Sequence, residues 1–471
     1  MAKELSIFID IWSICSGCAL DMLSRPPYYG HAFPTARTLR LYFNPPRSPS
    51  QQQEAATYDS QAIHANISSF VLRVRQMAPV LNEISVSVNL YSFEPSRDND
   101  WRLDHLVTQL YKVVNRIAYE SPSMTTRMTL LPDQIHNLTH INYYAIMDGD
   151  SGQILQLARQ NASTLQSLVI TLQGITDISG LIMDADGSYV SYPYLHVLKA
   201  KQWMNPTISR RPVYVGAVPF PVLRHLGIGY DYPLNDDTMF RGNAATLEYL
   251  EMLVSHATAT MLGEYSVFTP GSHPRLRCVK IAQMSDLIPG HFLTSVEYLQ
   301  FVLSIAPHAP LREIGSRSAS TELGPALSLL GDYACIQVLA LPSSQLSLWD
   351  IISLIQSLPL LSDLLTLPPC LEPIPMGISR DHLPSHMLAS YASIGGRFRC
   401  WQLGSHPNIA SLETVECILL LALICPTFGQ AAPPISSREK FTAALEDAIA
   451  LDKYKLHSSR LRRLMVKGWL K

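Results

Sequence analysis

Charge is scarce in this sequence, and neither sign dominates. Of 471 residues, 16% are Asp, Glu, Lys or Arg, against about a quarter in an ordinary soluble domain. The 36 basic side chains nearly cancel the 38 acidic ones, so no overall field steers nucleic acid or an anionic membrane toward the chain. The 8 cysteines are too few and too scattered for a disulfide framework, and a reducing compartment leaves them as thiols. Long apolar runs are missing as well. The longest, CILLLALIC from Cys417 to Cys425, has about half the length that crosses a bilayer and reads as a core helix. At the N-terminus, Glu4 and Asp10 interrupt the apolar stretch that a signal peptide needs. These absences place the chain in the cytoplasm or nucleus, with neither nucleic acid nor membrane as its expected partner.

Catalytic motifs are equally sparse. No phosphate-cradling glycine loop and no nucleophile elbow occurs. Cys15 and Cys18 have C-x-x-C spacing, but no second pair follows at a zinc-binding distance, which leaves two ordinary buried or half-buried thiols. His382 and His386 stand four apart, as zinc ligands on a helix do, yet Pro384 lies between them and no Glu follows the first. Asp148 to Gly152 and Met183 to Tyr189 resemble fragments of calcium loops; without spaced acidic ligands and a closing Glu they read as turns. The sequence therefore predicts a non-enzyme that carries no cofactor and no metal.

What the sequence does contain is a repeated phrase. NASTLQSLVI, Asn161 to Ile170, returns 82 positions later as NAATLEYLEM, Asn243 to Met252. Its second half is Leu-x-x-Leu-x-Leu, the strand signature of a leucine-rich repeat. In a chain that is 47% apolar, that template alone matches by chance at roughly one window in ten, so the segment ahead of each match carries the weight. Three such segments are amphipathic helices with a proline stop. In TSVEYLQFVLSIAP, Thr294 and Glu297 form a capping-box pattern, Val296, Leu299 and Val302 share a face, and Pro307 ends the helix. SLWDIISLIQSLP repeats the design with Ser347 and Asp350 at its start and Ile351, Ile355 and Leu358 on its face. ANISSFVLRVRQMAP does so again before Pro79.

Taking the first apolar residue of each candidate strand as an anchor gives Ala36, Leu81, Val114, Leu138, Leu165, Leu195, Leu223, Leu247, Leu276, Leu311, Ile336, Leu361, Phe398 and Leu461. Between Leu138 and Leu361 successive anchors lie 24 to 35 residues apart. The Asn usual beyond the third anchor position is mostly absent, with Gln173 and Asp231 in its place in two repeats. One helix-strand unit cannot bury its own apolar face, so units stack, strands on one side and helices on the other. The predicted fold is α/β, a leucine-rich-repeat solenoid with a parallel sheet on its concave side. Residues 1–130 form irregular N-terminal repeats, and residues 131–471 form the regular solenoid with a C-terminal capping unit that holds the basic cluster Arg460, Arg462, Arg463 and Lys467. Excursions are expected at Asn44 to Gln53, at Leu367 to Gly377 and at QAAPPISS, Gln430 to Ser437.

The longer phrases LARQNASTLQSLVI, DADGSYVSYPYLHVLK, GAVPFPVLRHLGI, LNDDTMFRGNAATLEYL, FTPGSHPRLRCVKI and RLRRLMVKGWL resemble the repeat region of a large group of fungal F-box-like leucine-rich-repeat proteins. That resemblance implies a substrate receptor, whose F-box docks on the adaptor of a cullin-type ubiquitin ligase while its repeats hold the protein to be ubiquitinated. The chain departs from the pattern at its start. No helical Leu-Pro module precedes the repeats, and KELSIFIDIW is already strand-like. The expectation is either a truncated receptor or a box-less relative, with the adaptor as partner only where an F-box lies upstream.

Strand side chains alternate, so the positions between anchors face out of the sheet. On the concave face these are His140, Asn142 and Tyr144, then Lys199 and Lys201, His225, Tyr249 and Glu251, Lys280, Glu313 and Arg317. Tyr, Lys, Arg and acids together suit a protein-binding face and equally suit any solvated sheet. Two functions follow: a protein-protein interaction module of a ubiquitin ligase receptor, or a scaffolding repeat protein with no ubiquitin role.

Overall fold

The structure is a computed structural model that describes residues 3–9, 11–23, 33–43, 59–88, 101–121, 132–145, 151–172, 181–182, 189–202, 218–229, 242–254, 270–283, 295–316, 328–341, 344–372, 374, 376–391, 394, 397–403, 411–425, 427–428, 430–432, 438–451 and 454. The chain forms two compact units, Met1–Asn243 and Ala244–Lys471. The first carries strands β1 (Glu4–Ile9), β2 (Thr38–Phe43), β3 (Glu83–Val88), β4 (Arg116–Ser121), β5 (His140–Ala145), β6 (Ser167–Leu172), β7 (Val197–Gln202) and β8 (His225–Gly229). Each pairs in parallel with its neighbours in sequence. The second carries β9 (Tyr249–Val254), β10 (Cys278–Gln283), β11 (Glu313–Ser316), β12 (Val338–Leu341), β13 (Asp363–Thr366), β14 (Cys400–Leu403) and β15 (Gln430–Ala432), paired in the same sequential parallel manner. The architecture is α/β, with open parallel sheets rather than a closed barrel.

Parallel neighbours need crossovers, and several crossovers are helical. Ser60–Met77, Trp101–Tyr111 and Ser151–Gln160 serve the first unit, and Ser295–Ile305, Leu348–Ser357, Leu383–Tyr391 and Leu412–Ile424 the second. The helix at Leu348 starts with a full capping box: the Ser347 hydroxyl accepts the Asp350 N–H at 3.1 Å, and the Asp350 carboxylate accepts the Ser347 N–H at 3.0 Å. Its Ile351 and Ile355 are buried, as is Leu358 just beyond it. Thr294 of the other capping-box pattern lies outside the described residues. CILLLALIC is a core helix, buried from Thr414 to Ile424, and its buried carboxylate Glu416 accepts a 2.8 Å bond from Arg380 Nε.

Every strand from β2 to β14 begins two residues after its anchor. The described anchors are buried, Leu81 alone being half-buried. Two sets of backbone bonds recur around them. Ahead of the strand, the anchor N–H donates to the carbonyl three residues back: Ala36 to Phe33 at 3.0 Å, Leu223 to Phe220 at 3.2 Å, Ile336 to Tyr333 at 3.1 Å, Leu361 to Leu358 at 3.0 Å. At the strand start, one carbonyl accepts two successive N–H groups of the next coil. The Gln166 carbonyl takes His196 at 2.9 Å and Val197 at 3.2 Å; Glu248 takes Arg277 at 2.7 Å and Cys278 at 3.1 Å; Gln337 takes Ser362 at 2.8 Å and Asp363 at 3.0 Å.

The repeated phrase has a specific cause in its first copy. Asn161 is buried and reaches back into the preceding coil, where Oδ1 accepts the Leu138 N–H at 2.9 Å and Nδ2 donates to the Ile135 carbonyl at 3.1 Å. Nδ2 also donates to the Leu157 carbonyl at 2.9 Å. Asn161 thus satisfies backbone groups of the preceding coil as well as of its own helix end. Leu165, Leu168 and Ile170 are buried, as are Leu247, Leu250 and Met252 of the second copy, in which Asn243 is buried too.

One expectation needs correction. QAAPPISS is not wholly an interruption: Gln430–Ala432 is β15, parallel to β14. Its anchor is Phe428, whose N–H donates to Cys425 at 3.2 Å in the same turn as elsewhere. The Cys425-Pro426 stop marks it, but a strand of three residues gives too little alternation to read. The N-terminal KELSIFI forms β1 in register with β2, although no anchor was assigned ahead of it. Residues 1–130 contribute β1 to β4, paired in parallel. Leu461, Gln173, Asp231 and the loop Asn44 to Gln53 lie outside the described residues, as does the cluster Arg460, Arg462, Arg463 and Lys467.

Two measurements test this framework. Asn161→Ala removes the side-chain partner of the Leu138 N–H and the Ile135 carbonyl, the Leu157 carbonyl keeping its bond from the residue 161 N–H, and urea unfolding should show a loss of about 2 to 3 kcal/mol, against no measurable change for the exposed Ser163→Ala. His273 is buried where other coils place Tyr192, Phe220 and Tyr333, and burial pushes its pKa from 6.5 down to about 4. Its ring is neutral in the fold while the unfolded chain takes up a proton. The associated stability is complete above pH 6.5 and is lost as the pH falls toward 4, amounting to about 3 kcal/mol. His273→Phe should flatten that part of the acid limb in stability measured against pH.

Candidate partner-binding face

Register sorts the strand residues into columns. In the first unit, one column runs Leu5, Leu39, Ile84, Ile117, Ile141, Leu168, Leu198, Leu226, and a second runs Ile7, Leu41, Val86, Tyr119, Tyr143, Ile170, Ala200, Ile228. From Leu39 to Leu226 the first of these is buried, and Leu41, Val86, Tyr119, Tyr143 and Ile170 are buried in the second. The alternate columns face solvent. They run Glu4, Thr38, Glu83, Arg116, His140, Ser167, Val197, His225, then Ser6, Arg40, Ser85, Ala118, Asn142, Val169, Lys199, Gly227. In the second unit Leu250, Val279, Ile314, Leu339, Leu364 and Trp401 are buried in the same way, and Cys278, in register with Tyr249 and Glu313, is buried as an exception in the alternate column.

Each expected face residue within the described strands falls in a solvent-facing column. His140, Asn142 and Tyr144 stand on β5, Lys199 and Lys201 on β7, and His225 on β8. Tyr249 and Glu251 stand on β9, Lys280 on β10, and Glu313 on β11. The Lys201 side chain and Arg317 lie outside the described residues. Stopping at Leu138 left out the first four strands. Applying the same steps of two, four and six residues from Ala36, Leu81 and Val114 gives Arg40, Tyr42, Glu83 and Arg116, all on this face.

Several of these side chains hold one another. Arg40 pairs with Glu4 at 2.9 Å, and Arg116 approaches Glu83 at 3.9 Å. These pairs are half-exposed and contribute on the order of 0 to 1 kcal/mol each. Arg116 also donates to His140 Nε2 at 2.7 Å. A guanidinium has no acceptor, so this nitrogen carries no proton and the His140 proton sits on Nδ1, 2.9 Å from the Thr139 hydroxyl. Desolvation, then the Arg116 charge, lowers the His140 pKa.

In the second unit Glu313 bridges two neighbours. One carboxylate oxygen meets Lys280 Nζ at 2.6 Å, and the other accepts the Cys278 thiol at 3.3 Å. The bond to Glu313 raises the Lys280 pKa. Burial and then the Glu313 charge push the Cys278 thiol up to about 12, so it is no nucleophile near neutral pH. Glycines shape the floor. A Cβ at Gly227 would lie 2.9 Å from Lys199 Cγ, and one at Gly315 would lie 3.5 Å from Lys280 Cγ, so each lysine stem rests beside a bare backbone of the next strand.

The other motifs stay separate. Cys15 is buried and Cys18 exposed, so the second thiol is more open than expected. His382 bonds the Ser379 hydroxyl at 2.7 Å and His386 faces Ser390 at 3.5 Å. Among the described residues no group of three or more His, Cys, Asp or Glu is placed to hold a metal ion, and no helix is long and apolar enough to cross a membrane. No protein-family model matches the chain, and no curated protein matches it either.

Thiol reactivity tests the burial pattern. In native protein at about pH 8, iodoacetamide should modify the exposed Cys18 and Cys335 first. Cys278, Cys417 and Cys425 are buried, with pKa values raised by burial, and should react only on unfolding, as read by peptide mass spectrometry.

Proposed function

We propose that the chain is a leucine-rich-repeat solenoid that holds a protein partner on the solvent-facing columns of its sheet. In this reading it is the substrate-recognition repeat region of an F-box-type ubiquitin ligase receptor. The observation that carries the first part is the ladder itself. One strand per coil, parallel to its neighbours within each unit and, from β2 to β14, starting two residues past an apolar anchor, leaves two or three side chains per strand on one continuous face within each unit. A surface built this way suits recognition more than chemistry, since its side chains come from many coils and its one buried thiol is unreactive. The ligase role rests on the resemblance of phrases such as GAVPFPVLRHLGI and FTPGSHPRLRCVKI to the repeats of F-box-like proteins. The adaptor enters only through an F-box.

A scaffold without ubiquitin chemistry is the second reading. It is favoured by the mutual pairing of Arg40 with Glu4 and of Lys280 with Glu313, which gives those side chains a structural use.

Co-purification and turnover separate the two. Asn142→Arg and Glu251→Arg, both on solvent-facing positions, should weaken partner recovery by about tenfold or more with melting unchanged. For a ligase receptor, deleting the gene lengthens the partner's half-life; for a scaffold, that half-life stays the same.

A further inference from the structure

Two histidines away from the sheet meet on the helical side of the first unit. His64 stands on the helix Ser60–Met77 and His105 on the helix Trp101–Tyr111, the crossovers before and after β3. His64 Nδ1 lies 2.9 Å from His105 Nε2, and the rings meet edge to face with centroids 4.2 Å apart. The two helices pack against each other, with Ile63 and Ile67 buried on the first and Leu103 and Leu106 on the second. Rigid elements rather than a loop therefore set the spacing of the imidazoles. Asp59 caps the first helix just ahead of His64, accepting the Gln61 N–H at 3.3 Å, and Asn66 Nδ2 ties the same helix to the Cys15 carbonyl at 2.7 Å. His64 is exposed and His105 half-buried, so an ion reaches the pair from solvent.

We propose that His64 and His105 bind a divalent transition-metal ion of the Cu2+ or Ni2+ class, which clips the two helices together and keeps water in its remaining positions. Metal–imidazole bonds of about 2.0 to 2.1 Å set at right angles place two nitrogens about 2.9 Å apart, whereas the tetrahedral angle places them about 3.3 Å apart. The observed separation fits tetragonal coordination, the preference of Cu2+ and Ni2+. Zn2+ requires the rings to open by about 0.4 Å. As hydrogen-bonded partners, one facing nitrogen carries a proton and the other a lone pair. Moving that proton to the far nitrogen of its own ring leaves two facing lone pairs and changes no charge. Desolvation, then His64 and Lys112, lower the His105 pKa, which keeps this ring neutral near neutral pH. Two imidazole nitrogens with a lysine nearby do not suit Mg2+ or Ca2+, which take oxygen ligands. The sequence hides the pair, because 41 residues separate its members and no local spacing rule joins them.

Cu2+ alone, titrated into the full chain by calorimetry, tests the site. Wild type is compared with His64→Gln, with His105→Gln, and with a control in which the other histidine pair is changed, His382→Gln with His386→Gln. The expected result is one tightly held ion per wild-type chain, kept in the control. Its affinity falls by about 10- to 100-fold in each single variant, at least the cost of losing an outer-shell partner. Electron paramagnetic resonance of the bound Cu2+ shows two equatorial imidazoles in wild type and one in His64→Gln. Ni2+ raises the melting temperature of wild type and of neither single variant, because an ion held by both helices favours the folded chain. His64 is exposed, so His64→Gln keeps the fold, as circular dichroism checks, and separates loss of metal from any packing effect at the half-buried His105. No stoichiometric ion in wild type, equal affinity in wild type and His64→Gln, or a wild-type spectrum with a single imidazole overturns the inference. An ion lost only in the control overturns it as well.

Discussion

One carbonyl per coil, shared between two N–H groups of the next, fixes the relation of each coil to its neighbour. The Thr139 carbonyl takes Gln166 at 2.8 Å and Ser167 at 3.0 Å, and Gln166 then takes His196 and Val197. Because side chains alternate along a strand, a slip of one residue would carry every buried side chain to solvent and every polar one to the core. The shared carbonyl and the buried anchor two residues before each strand oppose that slip together. The anchor fixes depth, since Leu165, Leu195 and Leu223 are fully covered, and the carbonyl fixes the position along the strand. Each fully buried anchor contributes about 1.5 to 3 kcal/mol. The N–H pairs add less in net energy but cannot be left unmade without penalty.

The helical side is held more loosely by pattern and more tightly by polar detail. Tyr111, Tyr192 and Tyr333 stand at the turn before their anchors, and each donates its hydroxyl to a backbone carbonyl: Ala118 at 2.8 Å, Leu181 at 2.8 Å and Ala306 at 3.1 Å. A buried phenol that spans from turn to neighbouring backbone performs the task that Asn161 performs with its amide. Asn161, Tyr192 and Tyr333 thus meet one recurring need, which is to satisfy backbone groups outside the strand ladder, while the Tyr111 hydroxyl bonds a carbonyl within β4. This explains the drifting spacing of the coils. The strand start is fixed, while the route back to it varies.

Strand positions were legible in the sequence because two facts sufficed: an apolar anchor, and alternation beyond it. Leu138, Leu276 and Leu361, taken as the first apolar residues of their strands, lie a constant two residues ahead of the starts of β5, β10 and β13. The shortest strand was not legible, since Gln430–Ala432 has one polar and two small residues, too few to show alternation. Nor was the span of Asn161, because its partners at Leu138 and Ile135 come from the preceding coil and no local rule connects them. The face residues were legible as positions and not as interactions. Nothing in the spacing tells that Glu313 binds Lys280 and the Cys278 thiol together, or that His140 takes a bond from Arg116.

The alternation of buried and solvent-facing columns is the central claim, and single-cysteine scanning along β5 and β6 measures it most directly. In a chain whose native cysteines are replaced, thiols placed at 140, 142 and 144 and at 167 and 169 should label quickly, and those at 141, 143, 168 and 170 slowly. A labelling period of three to four residues, or equal rates along both strands, would contradict the account.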